Sequence, residues 1–362
     1  MMHHALISLI LCLPLFIACT PHNPHYNPSK AHHTPTGFKN TYPEPERAEG
    51  SFWAWRYNAW KEGLPKPPAH PITGVTPDLA YIQNNKTETA VSWVGHATLL
   101  YQIDGVNILT DPVFSDRASP LSFIGPKRHQ PPGIALKDLP HIDVVVISHN
   151  HYEHLDLASV RALQVQAGGP PRFLVPLGIE AWFQGNVPGV KLEGADQNVY
   201  WLDWGDNYAV NGRTAPINFD FLSVQHWSKR TFWDRNATLW GSWAITHPSY
   251  RFWFSGDLGY SQATQDIGRT HGPFDLAAIA IGAYEPRWFM KRGHVNPTEA
   301  IQVMQDVGAK RAIGIHWGTF ELTDESLDLP PQDLQKGLQA AGIAPERFQV
   351  MRHGETWRGL TP

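Results

Sequence analysis

The chain has 362 residues, of which 42% are apolar and 17% charged, and its formal net charge is −4. These values are typical of a globular protein, and no block of Lys or Arg lies along a predicted helix, which argues against a nucleic-acid-binding surface. Both cysteines, Cys12 and Cys19, lie near the start of the chain. Metal chemistry in the folded body must therefore use His, Asp and Glu.

The first 19 residues are predicted to be an export signal. The apolar stretch from Ala5 to Ala18 is too short for an ordinary membrane span, and a polar, proline-rich stretch follows Cys19. The segment from Leu15 to Cys19 resembles a bacterial lipoprotein signal, in which the cysteine carries the lipid. Thr20 after it favours the outer membrane of the cell envelope, with the protein facing the periplasm. Ordinary secretion to the periplasm is the alternative.

Residues 20–50 are predicted to form a flexible tether, and residues 51–362 a single folded domain. The tether is rich in Pro, His and Asn and has almost no aliphatic residues. Its histidines could bind stray metal, but a solvated linker is preferred. The aromatic-rich segment 51–60 that follows has two interpretations, a helix that docks on the body or an aromatic surface near lipid.

Short β-rich runs alternate with helical patterns through the rest of the chain, and the pair Asp104-Gly105 predicts a hairpin. This mixture favours two sheets packed together with helices outside, a four-layered α/β arrangement. The predicted strands are 90–94, 99–103, 106–109, 142–147, 172–175, 217–224, 239–245, 250–254, 276–281 and 311–315. The predicted helices are 155–166 and 297–307.

Three histidines and a glutamate follow the predicted strand 142–147, in the run His149-Asn150-His151-Tyr152-Glu153-His154. Neutral imidazole and carboxylate are usual zinc ligands, and an open site of this kind suits hydrolysis. A lone histidine more often packs in a core or lies on the surface. Three within six residues, beside an acid and behind a strand, predict a metal-binding loop.

Three further candidate ligands, His226, Asp257 and His316, also follow predicted strands. A rigid scaffold can hold ligands from distant positions at the ends of separate strands. Gly256 and Gly318 beside two of them permit the close backbone approach that a crowded site requires.

These motifs resemble the metallo-β-lactamase-fold hydrolases, and specifically the N-acylphosphatidylethanolamine-hydrolysing phospholipase D family. The resemblance runs from about Trp93 to Gly354, and Gly282-Ala283-Tyr284-Glu285-Pro286-Arg287-Trp288-Phe289-Met290 is its most specific part. It implies an αββα sandwich of two mixed sheets flanked by helices. It also implies two zinc ions and hydrolysis of N-acylphosphatidylethanolamine to phosphatidic acid and an N-acylethanolamine. A lipid anchor would hold such an enzyme at the membrane that contains its substrate.

Carried over position by position, the resemblance implies two metal sites that share one carboxylate, Asp257. The first metal is then held by His149, His151 and His226. The second is held by Glu153, His154 and His316. Asp257 and His294 become the catalytic candidates, the first to orient the attacking water or accept its proton and the second to contact the phosphate or protonate the leaving group. His96 and Asp111 are expected to support the ligands without binding metal.

One position departs from the family pattern, because Glu153 stands where the family normally has aspartate. The added methylene requires the side chain to fold back or the second metal to move by about an ångström. Replacing Glu153 by aspartate is therefore expected to retain or raise activity. Trp227, Trp288 and Phe289 are predicted either to line an acyl-chain groove or to pack in the core.

Two other functions remain open from the sequence. The same metal site could hydrolyse another phosphodiester, a lactone or an ester, because one fold hosts many reactions. Alternatively, the glutamate could disable the second metal and leave a non-catalytic zinc-binding envelope protein.

Overall fold

The structure, a computed structural model, describes residues 22–44 and 52–362. The predicted signal peptide lies outside the described residues, and so do both ends of the predicted tether. Within the described ranges, no helix is long and apolar enough to cross a bilayer.

Two mixed seven-stranded sheets form the body, in the orders β16-β3-β4-β5-β6-β7-β8 and β15-β14-β13-β12-β11-β10-β9, and β1 pairs with β2 alone. The strands are β1 (His33–Thr34), β2 (Gly37–Phe38), β3 (Ala90–Gly95), β4 (Thr98–Ile103), β5 (Val106–Thr110), β6 (Val144–Val146), β7 (Arg172–Pro176), β8 (Val199–Leu202), β9 (Asn207–Asn211), β10 (Pro216–Leu222), β11 (Ser242–His247), β12 (Tyr250–Phe254), β13 (Phe274–Ala280), β14 (Ala309–Ile315), β15 (Phe348–Val350) and β16 (Thr356–Trp357).

Helices lie outside the two sheets, so the predicted αββα sandwich is confirmed. The α-helices are α1 (Phe52–Glu62), α2 (Leu79–Asn84), α3 (Leu157–Gln164), α4 (Ile179–Asn186), α5 (Ala263–His271), α6 (Arg287–Met290), α7 (Pro297–Asp306) and α8 (Leu329–Ala341). Short 3₁₀ turns occur at Leu136–Asp138 and Pro345–Arg347.

The first sheet is buried on both faces because apolar residues occupy successive positions of its inner strands. In β6, Val144 and Val146 face the core between the sheets, whereas Val145 packs in a second cluster with α3 and α4. Side chains alternate between the two faces of a strand, so a continuous valine run supplies both clusters. This explains why the continuous valine run predicts a strand from the sequence alone.

Local signals set the start of the helix that precedes β14. Asn296 accepts a hydrogen bond from the Glu299 backbone amide, and the Glu299 carboxylate accepts one from the Asn296 amide. This capping box and the proline at the first helical position define the N-terminus of α7. The predicted helix 297–307 is therefore confirmed to within one residue.

The predicted strand 239–245 begins three residues later than the pattern indicates. Leu239 donates its amide to Leu177 O, and Gly241 donates its amide to Ser148 O. Both acceptors belong to segments that follow strands of the other sheet. These residues therefore connect the two sheets, and pairing within the second sheet starts at Ser242.

The part of the predicted tether that the structure describes is packed on the body, which corrects the expectation of a flexible linker there. We call residues 22–44 the N-terminal arm. Asp203 accepts hydrogen bonds from Lys30 Nζ at 2.6 Å, His32 Nε2 at 2.6 Å and His33 Nε2 at 2.8 Å. His25 Nε2 lies 2.5 Å from a Glu180 carboxylate oxygen.

Charged hydrogen bonds replace aliphatic burial in holding the arm, which explains why its composition is typical of a linker. Burial would raise the pKa of Asp203, but hydrogen bonds from His32 and Lys30 overcome that effect and hold the pKa below its ordinary value. Phe38, at 3% exposed, supplies the arm's main apolar contact.

The aromatic segment after residue 51 forms α1, and the helix docks by a narrow face. Only Trp55 and Ala59 are buried. Trp55 Nε1 donates to Asp324 at 2.8 Å, and the indole stacks on Phe289 with the ring centres 4.9 Å apart. The helix therefore docks on the body, as the first interpretation expects, and it leaves large aromatic rings exposed, while a position near lipid stays a prediction.

We expect Asp203→Ala to release the N-terminal arm, because the loss of three charge-assisted hydrogen bonds removes about 2 kcal/mol or more of local stability. Hydrogen exchange of arm amides, followed by mass spectrometry, should rise severalfold. Asp196→Ala, at an exposed position nearby, is the control. Unchanged protection in Asp203→Ala would show that other contacts hold the arm.

Candidate metal centre

The predicted ligands converge at one edge of the sandwich, where four strands end. The histidine loop follows β6, and His226, Asp257 and His316 follow β10, β12 and β14. These last three strands run in the same direction, because β10 and β12 are both antiparallel to β11 and β12 to β14 are parallel. Their carboxyl ends therefore meet at the same edge.

The first ligand group consists of His149, His151, His226 and Asp257, and its ligand atoms lie within 4.8 Å of one another. His151 Nδ1 lies 2.8 Å from His149 Nε2 and 3.4 Å from His226 Nε2. Asp257 Oδ2 lies 3.9 Å from each of those two Nε2 atoms. Ligand atoms around a tetrahedral zinc are about 3.4 Å apart, so this group fits the ion closely.

The second ligand group consists of Glu153, His154, His316 and the same Asp257. Asp257 Oδ2 lies 3.1 Å from His154 Nε2 and 3.2 Å from His316 Nε2. The Glu153 carboxylate belongs to this group within the 4.8 Å limit. The longer side chain therefore still brings a carboxylate oxygen within reach of the second group.

The donor set also satisfies a test for a bound cation. Both Asp257 carboxylate oxygens and His316 Nε2 are buried and have no well-formed hydrogen bond in the described part of the chain. Leaving such groups unpaired in the interior costs several kcal/mol, on the order of 1–3 for each. Metal ions between the two ligand groups would satisfy all of these atoms at once.

Electrostatics favour the metal-binding forms of the first ligand group. Burial lowers the pKa of His149, His151 and His226 well below the ordinary value, so these imidazoles are neutral. Burial would raise the pKa of Asp257, but His154 and His316 beside it hold that pKa well below its usual range. A neutral imidazole and an ionised carboxylate are the forms that coordinate zinc. In the second group, burial would lower the pKa of His154, but Asp257 and Asp111 beside it raise that pKa well above its ordinary value.

Hydrogen bonds at the far side of the ring orient the imidazoles of His154 and His226. Asp111 accepts from the Ser148 amide at 2.7 Å, from Ser148 Oγ at 2.6 Å and from His154 Nδ1 at 2.7 Å. His226 Nδ1 lies 2.8 Å from Gly293 O. These contacts leave Nε2 of His154 and His226 directed at Asp257, and Asp111 has the supporting position that the sequence predicts.

His96 lies closer to the centre than the sequence suggests. Its ring centre is 3.9 Å from that of His316, and His96, His154 and His316 form a third group with ligand atoms within 4.8 Å. Neither ring nitrogen of His96 has a hydrogen bond in the described chain. His96 is therefore an additional imidazole within reach of the second metal position.

His294 borders the first ligand group without joining it. Its Nδ1 lies 3.9 Å from Asp257 Oδ2, and its ring centre is 5.2 Å from that of His226. Burial lowers the pKa of His294 well below its ordinary value. This position fits the predicted contact with substrate, and the catalytic role stays a prediction.

The N-terminal arm supplies a contact that the sequence did not indicate. Asn40 Oδ1 accepts from the His226 amide at 3.1 Å and from Trp240 Nε1 at 3.2 Å, while Asn40 Nδ2 donates to His226 O at 3.0 Å. The carboxamide thus fixes the backbone of His226, a candidate metal ligand 186 residues away. An asparagine in a segment with a linker composition carries no periodic signal that could have revealed this.

A cavity of about 390 Å³ opens beside His226 and is lined by aromatic rings and charged groups. Its lining residues are Glu44, His226, Trp227, Arg235, Trp288, Phe289 and Arg292. The predicted groove aromatics thus line a cavity at the site. A Cβ at Gly293 would lie 1.8 Å from the Trp227 ring, so glycine at this position lets that ring stand against the loop before His294.

We expect Glu153→Asp to retain two zinc ions per chain, because the charge is kept and the family pattern has aspartate here. His316→Ala should retain only one, because it removes a ligand that the second group needs. Zinc content after gel filtration, measured by plasma mass spectrometry, distinguishes these results. Loss of one ion from Glu153→Asp would show that the site has adapted to glutamate.

We expect Asn40→Ala to weaken zinc binding in the first group by about tenfold, because the backbone of His226 loses its fixed position. Chelator competition should show one weakened ion and one unchanged ion. Asn84→Ala, on the exposed end of α2, is the matched control. Equal weakening of both ions would indicate general destabilisation instead.

Comparisons with known proteins agree with this geometry. A family model described as the β-lactamase superfamily domain matches residues 106–317. An N-acyl-phosphatidylethanolamine-hydrolyzing phospholipase D of Caenorhabditis elegans is 41% identical over 292 residues, which cover 79% of this chain and 80% of that protein. Its mitochondrial counterpart in Saccharomyces cerevisiae is 32% identical over 257 residues, 70% of this chain and 52% of that protein.

Solved structures share the fold at low identity. A metallo hydrolase from Ignicoccus hospitalis superposes with a TM-score of 0.53 at 18% identity. The aligned part is 75% of this chain and 98% of that one. An isothiocyanate hydrolase from Delia radicum gut bacteria gives 0.55 at 15% identity, with coverage of 74% and 98%. From the matched domain and the long relatives, the chain belongs to the metallo-β-lactamase-fold hydrolases and, within them, to the N-acylphosphatidylethanolamine-hydrolysing phospholipase D family.

Proposed function

We propose that this metal-dependent hydrolase is a two-zinc phosphodiesterase of phospholipase D type. It would cleave N-acylphosphatidylethanolamine to phosphatidic acid and an N-acylethanolamine. The observation that carries the proposal is the pair of ligand groups that share Asp257 beside a cavity walled by Trp227, Trp288 and Phe289. The names of the worm and yeast relatives support this substrate.

The reaction requires water to attack phosphorus while the bond from phosphorus to the ethanolamine oxygen breaks. Bound zinc would lower the pKa of water and withdraw charge from the phosphate oxygens. The ionised Asp257 carboxylate, held among imidazoles, orients the attacking water and accepts its proton. His294, with Nδ1 3.9 Å from Asp257 Oδ2, takes up that proton and passes it to the ethanolamine oxygen as the phosphorus–oxygen bond breaks.

The cavity walls suit a lipid phosphodiester. Trp227, Trp288 and Phe289 provide an apolar wall for acyl chains and exclude water from the reacting centre. Arg235 and Arg292 place positive charge beside the same cavity, which favours a phosphate group. Glu44 pairs with Arg292 and so limits the net positive charge at that end.

The location of the enzyme is part of the proposal. We infer an envelope lipoprotein, anchored through Cys19 in the outer membrane and facing the periplasm, with periplasmic secretion as the alternative. The lipoprotein-like segment from Leu15 to Cys19 supports this location. An anchor of this kind would keep the site near its phospholipid substrate.

The zinc-loaded protein should convert N-acylphosphatidylethanolamine in detergent micelles to phosphatidic acid and N-acylethanolamine. Mass spectrometry of the products with and without a chelator measures this reaction. We expect the chelator, or His151→Ala, to reduce the rate by at least about a hundredfold, because either removes the activation of water.

A panel of substrates distinguishes the proposed reaction from hydrolysis of lactones, esters or the other phosphodiester bond. Turnover of lactones or soluble esters, with N-acylphosphatidylethanolamine untouched by the metal-replete protein, would contradict the phospholipase assignment. Release of N-acylethanolamine phosphate in place of N-acylethanolamine would show cleavage at the other phosphodiester bond.

A further inference from the structure

Large apolar side chains are exposed on three separate segments of the chain. They include Trp53 (77% exposed), Trp60 (76%), Phe123 (75%), Ile124 (58%), Phe232 (86%) and Trp233 (85%). The segments are α1, residues 117–127 and residues 228–235. Isolated exposed apolar residues are ordinary, but rings of this size grouped together mark an interaction surface.

Two of the segments border the cavity of the metal centre. Trp55 anchors α1 on Phe289, which lines the cavity. Residues 228–235 follow Trp227, another lining residue, and Arg230 Nη1 donates to Asn150 O in the histidine loop at 2.7 Å. These two segments therefore both adjoin residues that line the cavity.

Residues 117–127 are connected to residues 228–235 through Tyr152. The Tyr152 hydroxyl donates to Arg230 O at 3.0 Å, and the Arg230 guanidinium lies 4.0 Å from the centre of the Tyr152 ring. On its other side, Tyr152 packs against a small cluster that contains Ala118 and Phe320. Phe320 contacts the His96 ring edge to face, with the centres 5.3 Å apart. We call the three segments together the aromatic rim.

The aromatic rim is strongly cationic, although the whole chain is not. Its three segments contain seven Lys or Arg residues and two acidic residues, a net charge of +5, against −4 for the chain. Some cations lie on the rings themselves, with Lys229 Nζ 5.7 Å from the Phe232 ring centre and Arg56 Cζ 5.4 Å from that of Trp55. Aromatic rings among cations suit the headgroup region of an anionic bilayer.

We propose that the aromatic rim docks on an anionic phospholipid bilayer and presents the cavity mouth to the lipid. This step rests on the proposed function, because a bilayer phospholipid would then enter the site without crossing water. It requires no covalent lipid, so it acts in addition to any anchor at Cys19. The cationic character argues against a second copy of the chain as the occupant, since two such rims repel each other.

Sedimentation with vesicles tests the docking in a Cys19→Ser background, which cannot carry a lipid. The vesicles contain phosphatidylcholine and phosphatidylglycerol but no N-acylphosphatidylethanolamine, so binding is measured apart from hydrolysis. Two double variants, Trp53→Ser/Trp60→Ser and Phe232→Ser/Trp233→Ser, remove exposed rings from α1 and from residues 228–235. Val165→Ser, at a position 78% exposed after α3, is the matched control.

We expect each double variant to lower the vesicle partition coefficient by about tenfold, and the control to leave it unchanged. Raising the ionic strength, or omitting phosphatidylglycerol, should also weaken binding by the unmodified rim. Both double variants should retain wild-type turnover of micellar substrate, because none of the four rings belongs to the ligand groups or lines the cavity. Their hydrolysis of substrate in vesicles should fall with binding.

Vesicle binding equal to that of Val165→Ser in both double variants would overturn the docking proposal. A dimer in light scattering that the variants convert to monomer would also overturn it, by assigning the rim to a second copy. Rim-dependent binding without hydrolysis of micellar substrate would leave docking intact and contradict the phospholipase proposal. Hydrolysis of micellar substrate without rim-dependent vesicle binding would contradict the docking proposal and leave the phospholipase proposal intact.

Discussion

The structure depends on one buried carboxylate surrounded by imidazoles. Asp257 is 1% exposed, and His154 and His316 approach the same oxygen to 3.1 and 3.2 Å. A charge at this depth is stable only when opposite charge or metal compensates it. The surrounding fold must therefore hold several imidazoles rigidly around one carboxylate, and most features of the site edge serve that requirement.

Rigidity comes from connections between the two sheets at the centre itself. Trp243 Nε1, in the second sheet, donates to Ile147 O at the end of β6, and Gly241 donates to Ser148 O one residue later. The histidine loop is thus attached to the sheet that carries His226, Asp257 and His316. The N-terminal arm adds Asn40 from outside the sandwich, and Asp203 fixes the arm.

The edge of the sandwich that holds the ligand groups also carries the exposed aromatic segments. The loops that carry the ligands also carry the rim, since Tyr152 and Arg230 connect the histidine loop to the exposed aromatic segments. Loops on a rigid sandwich can vary in surface character without moving the ligands at their bases. The fold therefore holds the metal centre while the loop tips and α1 determine what approaches it.

The sequence by itself determined the sheet strands with strong apolar patterns, and it indicated the histidine loop and the other candidate ligands, because strand-end histidines and carboxylates are local signals. It also predicted Asp111 as a supporting residue. By family resemblance, it also placed Glu153 among the candidates for the second group, whereas only the tertiary structure placed His96 beside His316 and packed the N-terminal arm onto Asp203. Those outcomes depend on contacts between residues far apart in sequence, and composition and periodicity carry no information about such pairs.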